Sequence, residues 1–211
     1  MRVAAAAVQR ARPPQARATP PPDAFPPNAL AIYTDGSGPE RDATDPIAGW
    51  GFAVVSGGDG KDDEEAVETH SRCGRVITNA QQAGYIGAQR ATNNTAELTA
   101  IARALEYIIE DKSGRPAVIR YDSMYAGNIA TGTWRARANR ALAQRIRALW
   151  TRAHDHLQGQ LWASHVYGHD GHKWNERADE LARRGARASN EGAPQHNDAL
   201  ASDGSDENDN G

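Results

Sequence analysis

Cysteine is nearly missing from this chain of 211 residues: Cys73 stands alone. That excludes an intrachain disulfide framework and suits a reducing compartment. Long apolar runs are missing too. No stretch approaches the roughly 18 residues needed to cross a bilayer. Nor is there a strong excess of either charge, since 24 Lys+Arg against 27 Asp+Glu leave a formal net charge of −3. Such a balance is unpromising for a nucleic-acid partner, but the charge is unevenly spread. Residues 1–28 carry four arginines against Asp23 alone, and residues 185–211 carry Arg187 against six acids. Local patches therefore matter more than the total.

What is present is a chain of ordinary globular composition, 39% hydrophobic and 24% charged, long enough for one domain with a real core. The first 28 residues are rich in Ala, Pro and Arg, and their prolines cannot join helix or sheet. They read as a disordered leader. The alternative is an organelle transit peptide, against which stand the lack of serine and the prolines. From 189 to 211 the chain is polar and acidic with little to bury, and it reads as a disordered tail. The domain is expected over 29–188.

Within that span "LAIYTDGS", "GWGFAVVSGG" and "AVETHSRCGRVI" read as three strands with Gly- or Asp-rich punctuation. A helix is predicted from about Thr95, where Leu98, Ile101, Ala102, Leu105, Ile108 and Ile109 keep a helical stripe. "AVIRYD" gives a fourth strand, and a short helix follows from Ser123. A longer helix carries Leu142, Ile146, Leu149 and Ala153 on one face. "QLWASHVYG" is a fifth strand, and a closing helix turns Ala178, Leu181 and Ala182 inward. Three strands before any helix, then alternation, predict an α/β fold with a mixed sheet flanked by helices.

The carboxylates raise the functional question. A meander of the first three strands and a crossover to the fourth would set strand four parallel to strand one. Asp35 and Asp122 would then stand at adjacent carboxyl ends, the usual place for an α/β site. Glu97 reads two ways: as the partner of Asn94 in a capping box, or as a site residue, because it lies four before Ile101 on the buried stripe. Asp179, one turn into the last helix, is on periodicity either a solvated carboxylate or a site residue.

"YTDGS", "TNNTAELTAI", "YDSMYAGNIATGTW" and "VYGHDGHKWNERADELAR" resemble, in order, the four signatures of type 1 ribonuclease H. The resemblance covers about residues 29–188. It implies a ribonuclease H-like five-stranded mixed sheet of order 3-2-1-4-5 flanked by helices. It also implies a metal-dependent endonuclease that cuts the RNA strand of RNA–DNA hybrids, leaving 5′-phosphate and 3′-hydroxyl ends.

By similarity to the family, Asp35, Glu97, Asp122 and Asp179 converge on two Mg²⁺ ions, for which Mn²⁺ can substitute. Asp35 bridges them, Glu97 and Asp122 hold the ion on the leaving-group side, and Asp179 helps hold the ion of the nucleophile. The electrostatics agree: two carboxylates about 5 Å apart repel by roughly 3 kcal/mol at an effective dielectric near 20, so four ionised together need cations or protons. Hard oxygen donors without cysteine suit Mg²⁺ or Mn²⁺. His169 matches the family's mobile histidine, which assists proton transfer or product release. A zinc reading of His165, His169 and His172 lacks a fourth ligand.

Asn93 and Asn94 match family residues that contact the hybrid's minor groove; N-capping is their other reading. Arg135 and Arg137 open an acid-free run that continues with Arg140, Arg145, Arg147 and Arg152. Behind Trp134 that run is either a phosphate-binding surface for the DNA strand or a solvated helix face. The chain departs from the family in the loop "GPERDATDPIAGWG", at Met124 and in the lengthened "TNAQQAGYIGAQRA"; it also lacks a basic handle. Affinity and cleavage preference are where these should tell. A soluble intracellular monomer without a membrane partner is expected. The competing readings are a hybrid-binding module that does not cut, a domain derived from a retroelement, and a DNA-acting enzyme of the same fold.

Overall fold

The computed structural model describes residues 22, 24–57, 66–167, 172–188 and, for the backbone, 195–197. Its elements run β1 (Leu30–Ser37), β2 (Gly49–Ser56), β3 (Val67–Arg75), α1 (Asn93–Glu110), β4 (Ala117–Tyr121), α2 (Met124–Ala130), α3 (Arg140–His156), β5 (Leu161–His165), α4 (Lys173–Arg187) and β6 (Gln195–Asn197). The sheet order is β5-β4-β1-β2-β3-β6. Its first five strands give the expected 3-2-1-4-5 arrangement. β1, β2 and β3 form the antiparallel meander, while β4 and β5 lie parallel to β1 and β4.

Alternation along the strands divides the core between two faces. Leu30, Ile32, Trp50, Phe52, Val54 and Ile119 point to one face, where they pack with apolar residues of α1, α2 and α3. Ala31, Tyr33, Val55, Val118 and Trp162 point to the other, against Trp174 and Ala178 of α4. Covering both faces explains why β1 and β2 are almost continuously apolar. The fit of α4 depends on small residues. A Cβ at Gly185 would come within 2.6 Å of the Gly74 carbonyl, and one at Gly51 within 2.5 Å of the Ala182 nitrogen.

Three boundaries differ from the sequence reading. α1 begins at Asn93, ahead of the expected Thr95, and its N-cap is Thr92. The capping box joins Thr92 and Thr95, whose hydroxyls accept from each other's backbone N–H at 2.9 and 3.2 Å. Asn94 is therefore inside the helix, and the capping reading of Glu97 fails. Phe25, assigned to the leader, packs on Trp162 at 5.8 Å between centroids and receives the Arg120 guanidinium over its ring. The rest of the leader lies outside the described residues, apart from 22 and 24–28. Finally, three residues of the expected tail, 195–197, pair with β3 as a sixth strand. The remainder of 189–211 is outside the described set.

Candidate active site

Parallel pairing of β1 with β4, with Thr34 opposite Tyr121, brings Asp35 and Asp122 side by side where the two strands end. α1 supplies the third carboxylate, because its first turns lie directly on the end of β1. A Cβ at Gly36 would stand 2.2 Å from the Glu97 nitrogen and 2.6 Å from the Ala96 carbonyl carbon. Glycine is thus what lets Asp35 and Glu97 share one space. Asp35, Glu97 and Asp122 each offer an oxygen within 4.8 Å of the others. Asp35 and Glu97 are buried, at 7% and 6% exposure, whereas Asp122 is half-buried.

The environment raises the proton affinity of the buried pair. Desolvation, and then the charge of Asp122, push the Asp35 carboxyl up to about 7, against the 2.6 Å hydrogen bond it accepts from the Gly36 N–H and the charge of Arg183. Glu97 is pushed up to about 9, by burial first and then by Asp35 and Asp122, although Asn93 donates to it at 3.5 Å. Both shifts share one origin, burial first and then the charges of neighbouring carboxylates. The donors are all hard oxygens, so the cluster fits a divalent ion such as Mg²⁺ or Mn²⁺.

Asp179 lines the same cavity, about 610 Å³, with Asn175, Glu176 and Arg183. It stands apart from the three-carboxylate group, its Oδ2 held 2.5 Å from Arg183 Nη2. Asn175 donates to Asp122 at 3.4 Å. Asn175, Glu176 and Arg183 were not picked out from the sequence. The signal was there: Asn175, Asp179 and Arg183 are spaced i, i+4, i+8 and share one stripe of α4.

His169 lies outside the described residues. His165 bonds the Asp122 carbonyl at 3.1 Å and His172 the Tyr33 hydroxyl at 3.5 Å. Among the described residues neither belongs to a metal-competent group.

The arginine run divides. Asn94, Tyr125, Trp134, Arg135, Arg137 and Asn139 surround a cavity of about 650 Å³, beside which exposed Asn93 begins α1. Trp134 is 47% exposed there. Arg135, Arg140 and Arg147 line a further 320 Å³. Arg147 is nonetheless structural, since it holds the carbonyls of Ile129 and Trp134, and Arg145 pairs with Glu106 at 3.5 Å. Within the run, Arg145 and Arg147 therefore already have protein partners.

The ribonuclease H family model matches residues 27–187, which is most of the chain. The chain belongs to the ribonuclease H family. A ribonuclease H of Aromatoleum aromaticum is 40% identical over 114 residues, covering 48% of this chain and 69% of that one. A ribonuclease H of Cupriavidus necator is 29% identical over 174 residues, covering 75% and 96%. LC11-RNase H1, isolated from compost by a metagenomic approach, superposes with a TM-score of 0.54 at 22% identity over 75% of this chain and 96% of its own. Its complex with an RNA/DNA hybrid gives 0.52 at 21% identity, covering 74% and 96%. This is a ribonuclease H, an RNA-cleaving hydrolase. Among its described residues no helix is long and apolar enough to cross a membrane.

Proposed function

We propose that this ribonuclease H cuts the RNA strand of RNA–DNA hybrids by a two-metal mechanism. Asp35, Glu97, Asp122 and Asp179 would hold the ions, and the products would carry 5′-phosphate and 3′-hydroxyl ends. The observation that carries the reading is the trio Asp35, Glu97 and Asp122, buried or half-buried, with oxygens within 4.8 Å of one another where β1 and β4 end. Holding three carboxylates there is costly unless cations offset the charge. A pair of bound Mg²⁺ ions, or Mn²⁺ in their place, supplies an activated water and neutralises charge on the leaving oxygen.

The chain's own residues set up the rest. The Gly36 N–H fixes one oxygen of Asp35, which would help to hold the ions. Asn175 steadies Asp122. Asn93 and Asn94, exposed on the first turn of α1, can reach a minor groove, whose 2′-hydroxyls distinguish RNA from DNA. Arg135 and Arg137, with Trp134, would take phosphates of the DNA strand. His169 would move a proton or assist product release. LC11-RNase H1, which shares the fold, is known in complex with an RNA/DNA hybrid, and that supports the same substrate class here. A monomer suffices, because one chain contributes every residue invoked.

A hybrid with 3′-labelled RNA tests the reading. Fragments from digestion with Mg²⁺ should ligate directly to an acceptor 3′-hydroxyl without prior phosphorylation. Fragments that ligate only after kinase treatment, or cutting of the DNA strand, would overturn it.

A further inference from the structure

Three carboxylates meet at the end of β1, and the fourth is held back. Asp179 lines the same cavity, but its Oδ2 is 2.5 Å from Arg183 Nη2. Two observations set this contact apart from an ordinary i, i+4 pair on a helix surface. Arg183 is the cation whose charge bears on Asp35. It also lines two cavities: that of the carboxylates and a neighbouring one of about 540 Å³ between the β1–β2 loop and the end of α4. The second is lined by Glu40 and Asp45 from the loop, and by Arg75 and Arg187. At 61% side-chain exposure, Arg183 can pass from one to the other without burying its charge.

We propose that Arg183 is a resident counter-ion that holds Asp179 out of the carboxylate cluster, and that a binding divalent ion displaces it toward Glu40 and Asp45. This rests on the reading of Asp179 as a metal ligand. A guanidinium and a dication compete for the same carboxylate oxygen, and both cannot hold it. While Arg183 is in place an ion meets Asp35, Glu97 and Asp122 alone. Asp179 already bears on Asp35 through its charge, but only when the guanidinium leaves is its Oδ2 open to an ion. The loop acids give it a second partner, so the chain keeps its counter-ion close instead of releasing it to water. Arg183 is thus a positioning residue: it acts through Asp179 and sets how tightly the cluster binds cations. The acidic loop "GPERDATDPIAGWG" gains a role as the acceptor of that arginine.

The test is Mn²⁺ binding to the free full-length chain, followed by electron paramagnetic resonance. Wild type would be compared with Arg183→Gln, Arg187→Gln, Asp122→Asn, Asp179→Asn and the Arg183→Gln/Asp179→Asn pair, each first shown to melt cooperatively. Arg183→Gln should tighten binding on the order of tenfold, Arg187→Gln less than twofold, and the Arg183 effect should vanish when Asp179 is already Asn. No tightening in Arg183→Gln overturns the proposal. So do equal gains from both arginines, which a general field would give, and a gain that persists without Asp179. Asp122→Asn should lose the ion. If it binds like wild type, the metal reading of the cluster itself fails, an outcome distinct from an unresponsive Arg183.

Discussion

Neutralising Asp35 should stabilise the metal-free protein, and the gain should grow with pH. The folded state raises this carboxyl from an ordinary 3.8 to about 7, so it binds the proton more tightly than the unfolded chain does. For a raised carboxylate the contribution is full below pH 3.8, where both states are protonated, and it is lost progressively as pH rises through 7. At about 1.4 kcal/mol per unit, the cost of ionised Asp35 reaches roughly 4 kcal/mol above pH 7. Asp35→Asn removes the charge at similar volume. In EDTA at pH 8 it should unfold at higher urea than wild type by about that energy, which for a domain of this size is on the order of 10 °C in melting temperature. At pH 4.5 the gap should shrink to about 1 kcal/mol, because wild-type Asp35 is then protonated when folded but mostly ionised when unfolded. Saturating Mg²⁺ should narrow the gap at pH 8, since an ion bound only by the folded state stabilises wild type. Urea melts of both proteins from pH 4.5 to 8.5, with EDTA or Mg²⁺, measure all three. A pH-independent gap, or a mutant less stable than wild type at pH 8, would refute the reasoning.

Gly36→Ala should be severe, because its Cβ would lie 2.2 Å from the Glu97 nitrogen. Forcing α1 away from β1 costs on the order of 2 kcal/mol or more, so chemical denaturation should show lower stability and Mg²⁺ affinity should fall with it. Thr92→Ala removes the N-cap of α1 and should cost about 1 kcal/mol, whereas Asn94→Ala should be within about 0.5 kcal/mol by the same melt. The reverse ranking would restore the capping box read from the sequence. Replacing both Arg135 and Arg137 with Gln should raise the hybrid's KM and reduce the salt slope of binding by about one for each phosphate no longer neutralised, leaving kcat nearly intact. Steady-state kinetics across 50–200 mM salt would show this.

Most of the fold could be read from the chain because alternation and helical stripes agree with the layers they build. Leu98, Ile101 and Leu105 form the buried face of α1, and the runs at 30–37 and 49–56 are the two strands covered on both sides. The trio was within reach because Asp35 and Asp122 follow from parallel pairing alone. Glu97 was ambiguous for a physical reason. Spacing from Asn94 allows a capping box, and only the reciprocal Thr92–Thr95 hydrogen bonds show that the cap lies elsewhere. Arg147 and Arg183 were misjudged or passed over because a long side chain's partner depends on tertiary neighbours: two carbonyls in one case and a site carboxylate in the other. Phe25 was lost among prolines, since its packing on Trp162 joins segments far apart in sequence.

The most direct measurement is cleavage of a labelled RNA–DNA hybrid by wild type and Asp122→Asn, with Mg²⁺ and with EDTA, beside duplex RNA and duplex DNA. Expected is cutting of the hybrid's RNA strand alone, abolished by EDTA and reduced by several orders of magnitude in a mutant that still binds the hybrid. A hybrid that is bound but left intact with Mg²⁺ and Mn²⁺, or Asp122→Asn cutting as fast as wild type, would contradict a metal site built on these carboxylates.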